Sequence, residues 1–346
     1  MKWSWKNFFV GFFLVVGVIA TYFIIKQYGI KNIIGFYKNF NGWLLLLYFF
    51  IIFIIYNILT WRWNIILRSR GHKVPFARLF IYRVIGQSIN FFTPGPRVGG
   101  EPTQASLLGR HGVEFTEGLS TVMIDKIIDT TTSGIIFVIG ILLVSFHYSI
   151  PRTIGITLAS VGTLFLIIII IFYRQMLRDK HFFLHIFRFL RLDRTKNKAL
   201  KRAEKKIEEI ELIMIQFYKH DKKTFILSIL ISLLGWVAMF AEYKTVTTLL
   251  GLNLGFVPLF FIIAFIGVAV LFPIPMAVGV LEAGQVSAFG IIGIAGGAGV
   301  ALAFVVRIKD FIWGVIGLLL LAIFGFDVKK TIRHKYKSKN SGILEN

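Results

Sequence analysis

Two short strings of polar residues recur in an otherwise apolar chain. Glu101, Gln104, Ser106 and Gly109 stand in the pattern E-x-x-Q-x-S-x-x-G, and Glu282, Gln285, Ser287 and Gly290 repeat it 181 positions later. In both strings the position 17 residues past the glycine is basic, Lys126 or Arg307, and an aspartate follows three later, Asp129 or Asp310. In apolar surroundings such groups can carry a proton, hold a charged headgroup or pair with one another. Each Glu and Gln, three apart, share one face of a helix. Lys126 with Asp129 and Arg307 with Asp310 are one turn apart, so each pair is expected to form an i,i+3 ion pair, with Asp125 adding an acid beside the first. The bland alternatives are glutamates that merely cap helices at the favourable end of the dipole, and ion pairs that merely tie helices together.

The strings belong to a longer repeat. Residues 80–129 and 261–310 align without a gap, and 14 of 50 residues coincide, among them Phe91, Pro94, Glu101, Gly112, Gly118 and Asp129 with Phe272, Pro275, Glu282, Gly293, Gly299 and Asp310. Apolar runs match by accident, whereas Glu, Gln, Ser and Asp in an apolar chain rarely do.

The elements that must position these groups are set by composition. The chain is 56% apolar and 16% charged, and its apolar residues come in runs of about 20 residues, the length that spans a bilayer. Six full spans are expected, at 8–25, 43–60, 119–146, 153–173, 224–250 and 300–326. Two further segments, 76–92 and 256–272, run into the proline and glycine motifs. The first span lacks a small-residue cleavage pattern and reads as uncleaved. The expected fold is therefore an all-α polytopic membrane protein, six spans plus two re-entrant or broken hairpins.

The formal charge of +22 is distributed in a way that points to a membrane and not to nucleic acid. Lys and Arg number 28 in 1–7, 61–78, 174–223 and 327–346, against four in the alternate connections 26–42, 147–152 and 250–255. The positive-inside rule then puts both termini in the cytoplasm. In that topology the spans preceding the two repeated passages run in opposite directions, so 43–146 and 224–326 form an inverted-topology repeat. Gly/Pro-broken segments in matching positions of such halves point to a transporter with its substrate site between them. The broken loops 93–100 and 273–279 must line a cavity, since lipid cannot satisfy their backbone. Six of the seven remaining bases, Arg83, Arg97, Arg110, Lys126, Arg307 and Lys309, fall inside the repeated passages.

Other chemistry is sparse. With no cysteine there is no disulfide, thiol nucleophile or thiolate metal site. His181 and His185 are four apart but lack further ligands in a metal-site pattern, so neither metal nor cofactor is expected. No phosphate-binding loop, dinucleotide fingerprint or nucleophile elbow appears. The connection 174–223 carries an amphipathic helix with Leu200, Ala203, Ile207, Ile210, Met214 and Phe217 on one face, and is expected to lie on anionic headgroups.

The stretches NFFTPGPRVGGEPTQASLLGRHG (90–112), MIDKIID (123–129) and FPIPMAVGVLEA (272–283) resemble the membrane region of lysylphosphatidylglycerol synthases, a flippase-like family that also occurs as stand-alone membrane proteins. The resemblance covers roughly residues 40–326. It implies translocation of a lipid or lipid-linked substrate. It argues against lipid aminoacylation, because about 20 residues follow the last span where the synthases carry a transferase domain. By motif position it marks Pro94, Gly100, Glu101, Lys126, Asp129, Pro275, Gly279 and Glu282. Two departures are Gln104, where relatives often carry a nearby arginine, and Met276 after Pro275, where they often have glycine.

The function expected is a non-enzymatic transporter whose lumen holds Glu101, Gln104, Glu282 and Gln285, with Arg97, Lys126 and Arg307 facing an anionic headgroup. Asp125, Asp129 and Asp310 complete the candidate set. Its partners are expected to be membrane lipids, anionic ones above all; a lipid-modifying transferase and a second copy of the chain remain open. The alternatives are a proton- or ion-coupled solute transporter, with Glu101 or Glu282 carrying the proton, and a membrane subunit that anchors a transferase.

Overall fold

The computed structural model describes residues 29–37, 41–93, 99–147, 152–190, 198–271 and 279–341, with Tyr22, Phe23 and Lys26. Among these residues there is no strand. The helices are α1 (Ile30–Gly35), α2 (Gly42–Ser69), α3 (Phe76–Phe92), α4 (Gly100–Leu108), α5 (Phe115–His147), α6 (Arg152–Leu177), α7 (Phe182–Phe189), α8 (Lys198–His220), α9 (Lys222–Leu249), α10 (Phe256–Leu271), α11 (Val280–Ile291) and α12 (Gly296–Ser341). A short 3-10 turn, Gly109–His111, extends α4.

Four helical segments among the described residues are long and apolar enough to cross a membrane: Gly42–Ser69, Phe115–His147, Gly155–Leu177 and Lys222–Leu249. They cover, to within two residues at the ends of 153–173 and 224–250, four of the six expected spans. The sixth, 300–326, lies within α12, and the first, 8–25, falls almost wholly outside the described residues. One boundary differs with consequence. The span expected to end at Thr60 continues as helix to Ser69, because Ile65, Ile66 and Leu67 extend its apolar run past the Trp61–Asn64 interruption.

The described residues of both repeated passages fold alike: a helix (α3, α10), a short helix (α4, α11), then a long helix (α5, α12). The matched glycines explain part of the likeness. Gly112 and Gly293 each follow the short helix in the left-handed region, both at φ 78°, a conformation that costs glycine little and other residues much. Gly118 and Gly299 let the long helix approach the short one. A Cβ on Gly299 would lie 2.8 Å from the Gln285 carbonyl oxygen, and one on Gly118 3.3 Å from that of Ala105.

The halves interlock. α3 packs along α12 and α10 along α5, so each broken helix lies against the long helix of the other half, while α2 and α9 pack together. Gly314 and Gly317 of α12 open the surface that receives Phe91, Phe92 and Ser88 of α3, and the Ser88 hydroxyl donates to the Gly314 carbonyl.

The connection 174–223 behaves differently from its expectation. Its amphipathic helix forms as α8, but Ile210, Met214 and Phe217 are buried against Ile66 of α2, Ile124 and Ile128 of α5, and Phe172 and Met176 of α6. The apolar stripe is thus used within the protein, and the basic residues Lys201, Arg202, Lys205 and Lys206 are left on the exposed face. Glu211, buried beneath, accepts from the Phe183 and Leu184 N–H groups at the start of α7 and lies 3.4 Å from His181.

Candidate functional site: a charged cavity between the two halves

A cavity of about 350 Å³ opens where the repeated passages meet. It is lined by Tyr56 and Arg62 from α2, Arg83, Gln87 and Asn90 from α3, Glu101 and Gln104 from α4, and Asp125, Lys126 and Asp129 from α5. The second half adds Glu242 and Tyr243 from α9 and Arg307, Lys309, Asp310 and Trp313 from α12. Five basic and five acidic side chains therefore face one small space within an apolar bundle. Charges so placed persist only where each finds a partner or water.

The partners are tertiary, and they correct the expected i,i+3 pairs. Lys126 reaches back to Glu101, 3.8 Å away, and Arg307 grips both carboxylate oxygens of Glu282, with Nη2 to Oε2 at 2.8 Å. In both halves, then, the base on the long helix meets the glutamate of the preceding short helix. Asp129 is held by Arg62 at 2.8 Å, and Asp310 lies 3.6 Å from Lys309. Asp125, expected beside Lys126, instead takes Arg62 at 2.7 Å and Arg83 at 2.8 Å, one on each carboxylate oxygen. Spacing of three along a helix makes contact available, but a bidentate or buried partner on another helix is the stronger attraction.

The two glutamates differ in what else they do. The backbone N–H of Gly279 donates to Glu282 at 2.8 Å, so this carboxylate caps α11 while it binds Arg307, and it is fully buried. In the first half the capping falls to Asn90, which accepts from the Gly100 N–H at 2.8 Å and donates to Glu101 at 3.1 Å. Glu101 is left facing the cavity with the half-exposed Lys126. The capping alternative therefore holds for Glu282 together with its ion pair, and not for Glu101.

Of the residues expected to line a lumen, Glu101, Gln104, Lys126, Arg307, Asp125, Asp129 and Asp310 do so. Glu282 and Gln285 do not: both are buried in the wall, Glu282 behind Arg307 and Gln285 with its amide 3.5 Å from the Ile262 carbonyl. Gly100 packs against Asn90 and the Gly86 carbonyl, and Gln104 covers Gly86, at positions where side chains would collide. Pro94, Arg97 and Pro275 lie outside the described residues. Of the other bases singled out in the repeats, Arg83 and Lys309 line the cavity, while Arg110 donates to the Phe324 carbonyl.

Sequence reasoning missed two residues. Arg62 was grouped with the cytoplasmic bases, yet it is 1% exposed and also donates to Ser232 of α9 at 2.8 Å, joining the two halves. Glu242, the partner of Lys309 at 2.9 Å, is the one acidic residue in α9. An isolated carboxylate in a 28-residue apolar helix was the available signal. Among the described residues no three of His, Asp and Glu gather as a metal site would require.

Comparison with known proteins agrees with this architecture. The family described as the lysylphosphatidylglycerol synthase TM region matches residues 8–318. The chain belongs to this family. A UPF0104 membrane protein of Methanothermobacter thermautotrophicus is 24% identical over 335 residues, covering 93% of this chain and 97% of the relative. A second from Methanocaldococcus jannaschii is 31% identical over 140 residues, 39% of this chain and 41% of its own. A third, from Pyrococcus horikoshii, is 24% identical over 271 residues, 74% and 79% of the two chains. No solved structure matches significantly. With its long apolar helices, this family member is a membrane protein whose described elements are all helical.

Proposed function

We propose that this protein translocates a lipid or a lipid-linked, polyprenyl-phosphate-type substrate across the cytoplasmic membrane, acting as a transporter and not as an enzyme. In this reading six spans and two re-entrant hairpins form an inverted repeat with both termini in the cytoplasm. The observation that carries it is the charged cavity lined by equivalent residues of the two halves, Lys126 and Asp129 from one and Arg307 and Asp310 from the other. The interlocked packing of α3 on α12 and α10 on α5 fits halves that rearrange about a shared central site.

The asymmetry of the matched pairs supplies a mechanism. The Glu282–Arg307 pair is bidentate with its carboxylate fully buried, whereas Lys126 stands 3.8 Å from Glu101 with its side chain about half exposed. Lys126 is thus the cation most ready to exchange its carboxylate for the phosphate of a headgroup, while the second pair keeps the other side of the site closed. Opening the second pair and tightening the first would expose the site to the opposite leaflet. Acyl or polyprenyl chains would remain in the bilayer, since a cavity of about 350 Å³ has room for a polar headgroup and not for the chains. Membrane lipids are then both substrate and surroundings.

The test is movement of labelled lipids and lipid-linked sugars across liposome membranes containing wild-type protein or the Glu101→Gln, Glu282→Gln double variant. Movement in the wild type and loss in a folded double variant supports the reading. No movement of any candidate by folded wild-type protein would transfer support to solute transport or to a scaffolding role.

A further inference from the structure

A second, separate site lies on the outer surface of α6. Its exposed residues Leu164, Ile167 and Ile171 follow one another at helical spacing, and the same stripe continues into Arg174 and Arg178. Lys180 lies in the turn that ends the helix, and together these residues border a cavity of about 290 Å³ formed by Ile171, Arg174, Gln175, Arg178 and Lys180. Among the described residues no acidic side chain lines it. The side chains of Arg174, Arg178 and Lys180 form no ion pair among the described residues, and the nearby Asp179 is taken by Lys219.

We propose that this face binds one anionic phospholipid from the leaflet at which α6 ends. Its phosphate would sit among Arg174, Arg178 and Lys180, and an acyl chain would lie along Ile171, Ile167 and Leu164. The stripe from Leu164 to Ile171 rises about 10 Å, enough for most of the upper half of an acyl chain within one leaflet. The carbonyl end of α6 carries only about half a negative charge, so it offsets part of the three cations and leaves the cluster net positive, ready to hold an anion. The occupant is a membrane lipid and not a soluble phosphate compound, because the cationic cluster stands at the end of a lipid-facing apolar stripe. This site is independent of the transport cavity, which opens between other helices.

The full-length protein is purified in detergent, titrated with phosphatidylglycerol or phosphatidylcholine, and its retained lipids are counted by native mass spectrometry. The expected result is one tightly held phosphatidylglycerol, bound on the order of 100-fold more weakly by the Arg174→Gln, Arg178→Gln, Lys180→Gln variant. The single Arg174→Gln variant should lose roughly 5-fold, which keeps the test sound if the triple variant folds poorly. Equal retention of both lipids, equal retention by wild type and variants, or displacement by inorganic phosphate at millimolar concentration would overturn the proposal. So would loss of the lipid on Lys126→Gln with retention in the triple variant, since the lipid would then sit in the cavity. None of these outcomes depends on whether the protein transports anything.

Discussion

Replacing Arg62 by methionine keeps most of the side-chain volume and removes the guanidinium on which three partners converge. Asp125 at 2.7 Å, Asp129 at 2.8 Å and Ser232 at 2.8 Å all lose a donor. Asp129 is 42% exposed along its side chain and can rehydrate, whereas Asp125 is 8% exposed and retains only Arg83. The cost is therefore mainly that of an under-compensated buried carboxylate, about 3–5 kcal/mol when one partner of a buried pair is removed. Two charge-assisted hydrogen bonds at roughly 1.5–3 kcal/mol each give the same range. For a chain of this size the thermal midpoint in detergent, followed by tryptophan fluorescence, should fall by about 4–7 °C. The Arg62→Met, Asp125→Asn double variant should recover about half of that loss, because the stranded charge is gone. A single variant melting within about 2 °C of wild type would refute the reasoning.

The two motif glutamates should differ in stability cost. Glu282→Gln, which breaks a buried bidentate pair and a helix cap, should lower stability by about 2–4 kcal/mol, and Glu101→Gln by less than about 1 kcal/mol; equal midpoints would contradict the asymmetry. Gly299→Ala drives a methyl against the Gln285 carbonyl and should cost about 1–3 kcal/mol. Gly109→Ala, helical with open space around it, should be neutral or stabilising by up to about 1 kcal/mol, and the same unfolding scans read both. Burial pushes the Glu211 carboxyl above the ordinary carboxylate range, while the Phe183 and Leu184 N–H groups and His181 pull it back. Its folded pKa being the higher, its contribution is complete below the unfolded value and is lost as pH rises through the folded one. The midpoint should fall across that window in wild type and stay flatter in Glu211→Gln; parallel curves would contradict it.

Much of the architecture was legible because apolar run length and Gly/Pro breaks are local signals. Helix α3 spans the expected residues 76–92, and α10 covers every described residue of the expected 256–272. The polar repeat pointed to Glu101 and Lys126 as groups of one lumen and to short helices over 101–111 and 282–292, and the structure has helices at Gly100–Leu108 and Val280–Ile291 with both residues at one cavity. What was not legible was pairing between helices. Spacing along α5 suggested Lys126 with Asp129, but the fold offers Lys126 the nearer Glu101 and gives Asp129 to Arg62. Arg62 was hidden by counting charge in segments, since a base near the end of a long helix looks like a base in the following loop. The stripe of α8 was read correctly as amphipathic, but hydrophobic spacing does not say whether lipid or protein covers it, and here α2, α5 and α6 do.

The central claim is that substrate passes through the cavity between the halves. The chain has no cysteine, so Gln87→Cys, at an exposed position on the cavity wall, provides one reactive thiol in it. Translocation of a transported lipid is measured in liposomes before and after a membrane-impermeant thiol reagent fills that site, with labelling quantified in the same sample. The account predicts that complete labelling stops translocation and that wild-type protein is unaffected by the reagent. Complete labelling with translocation unchanged would contradict it.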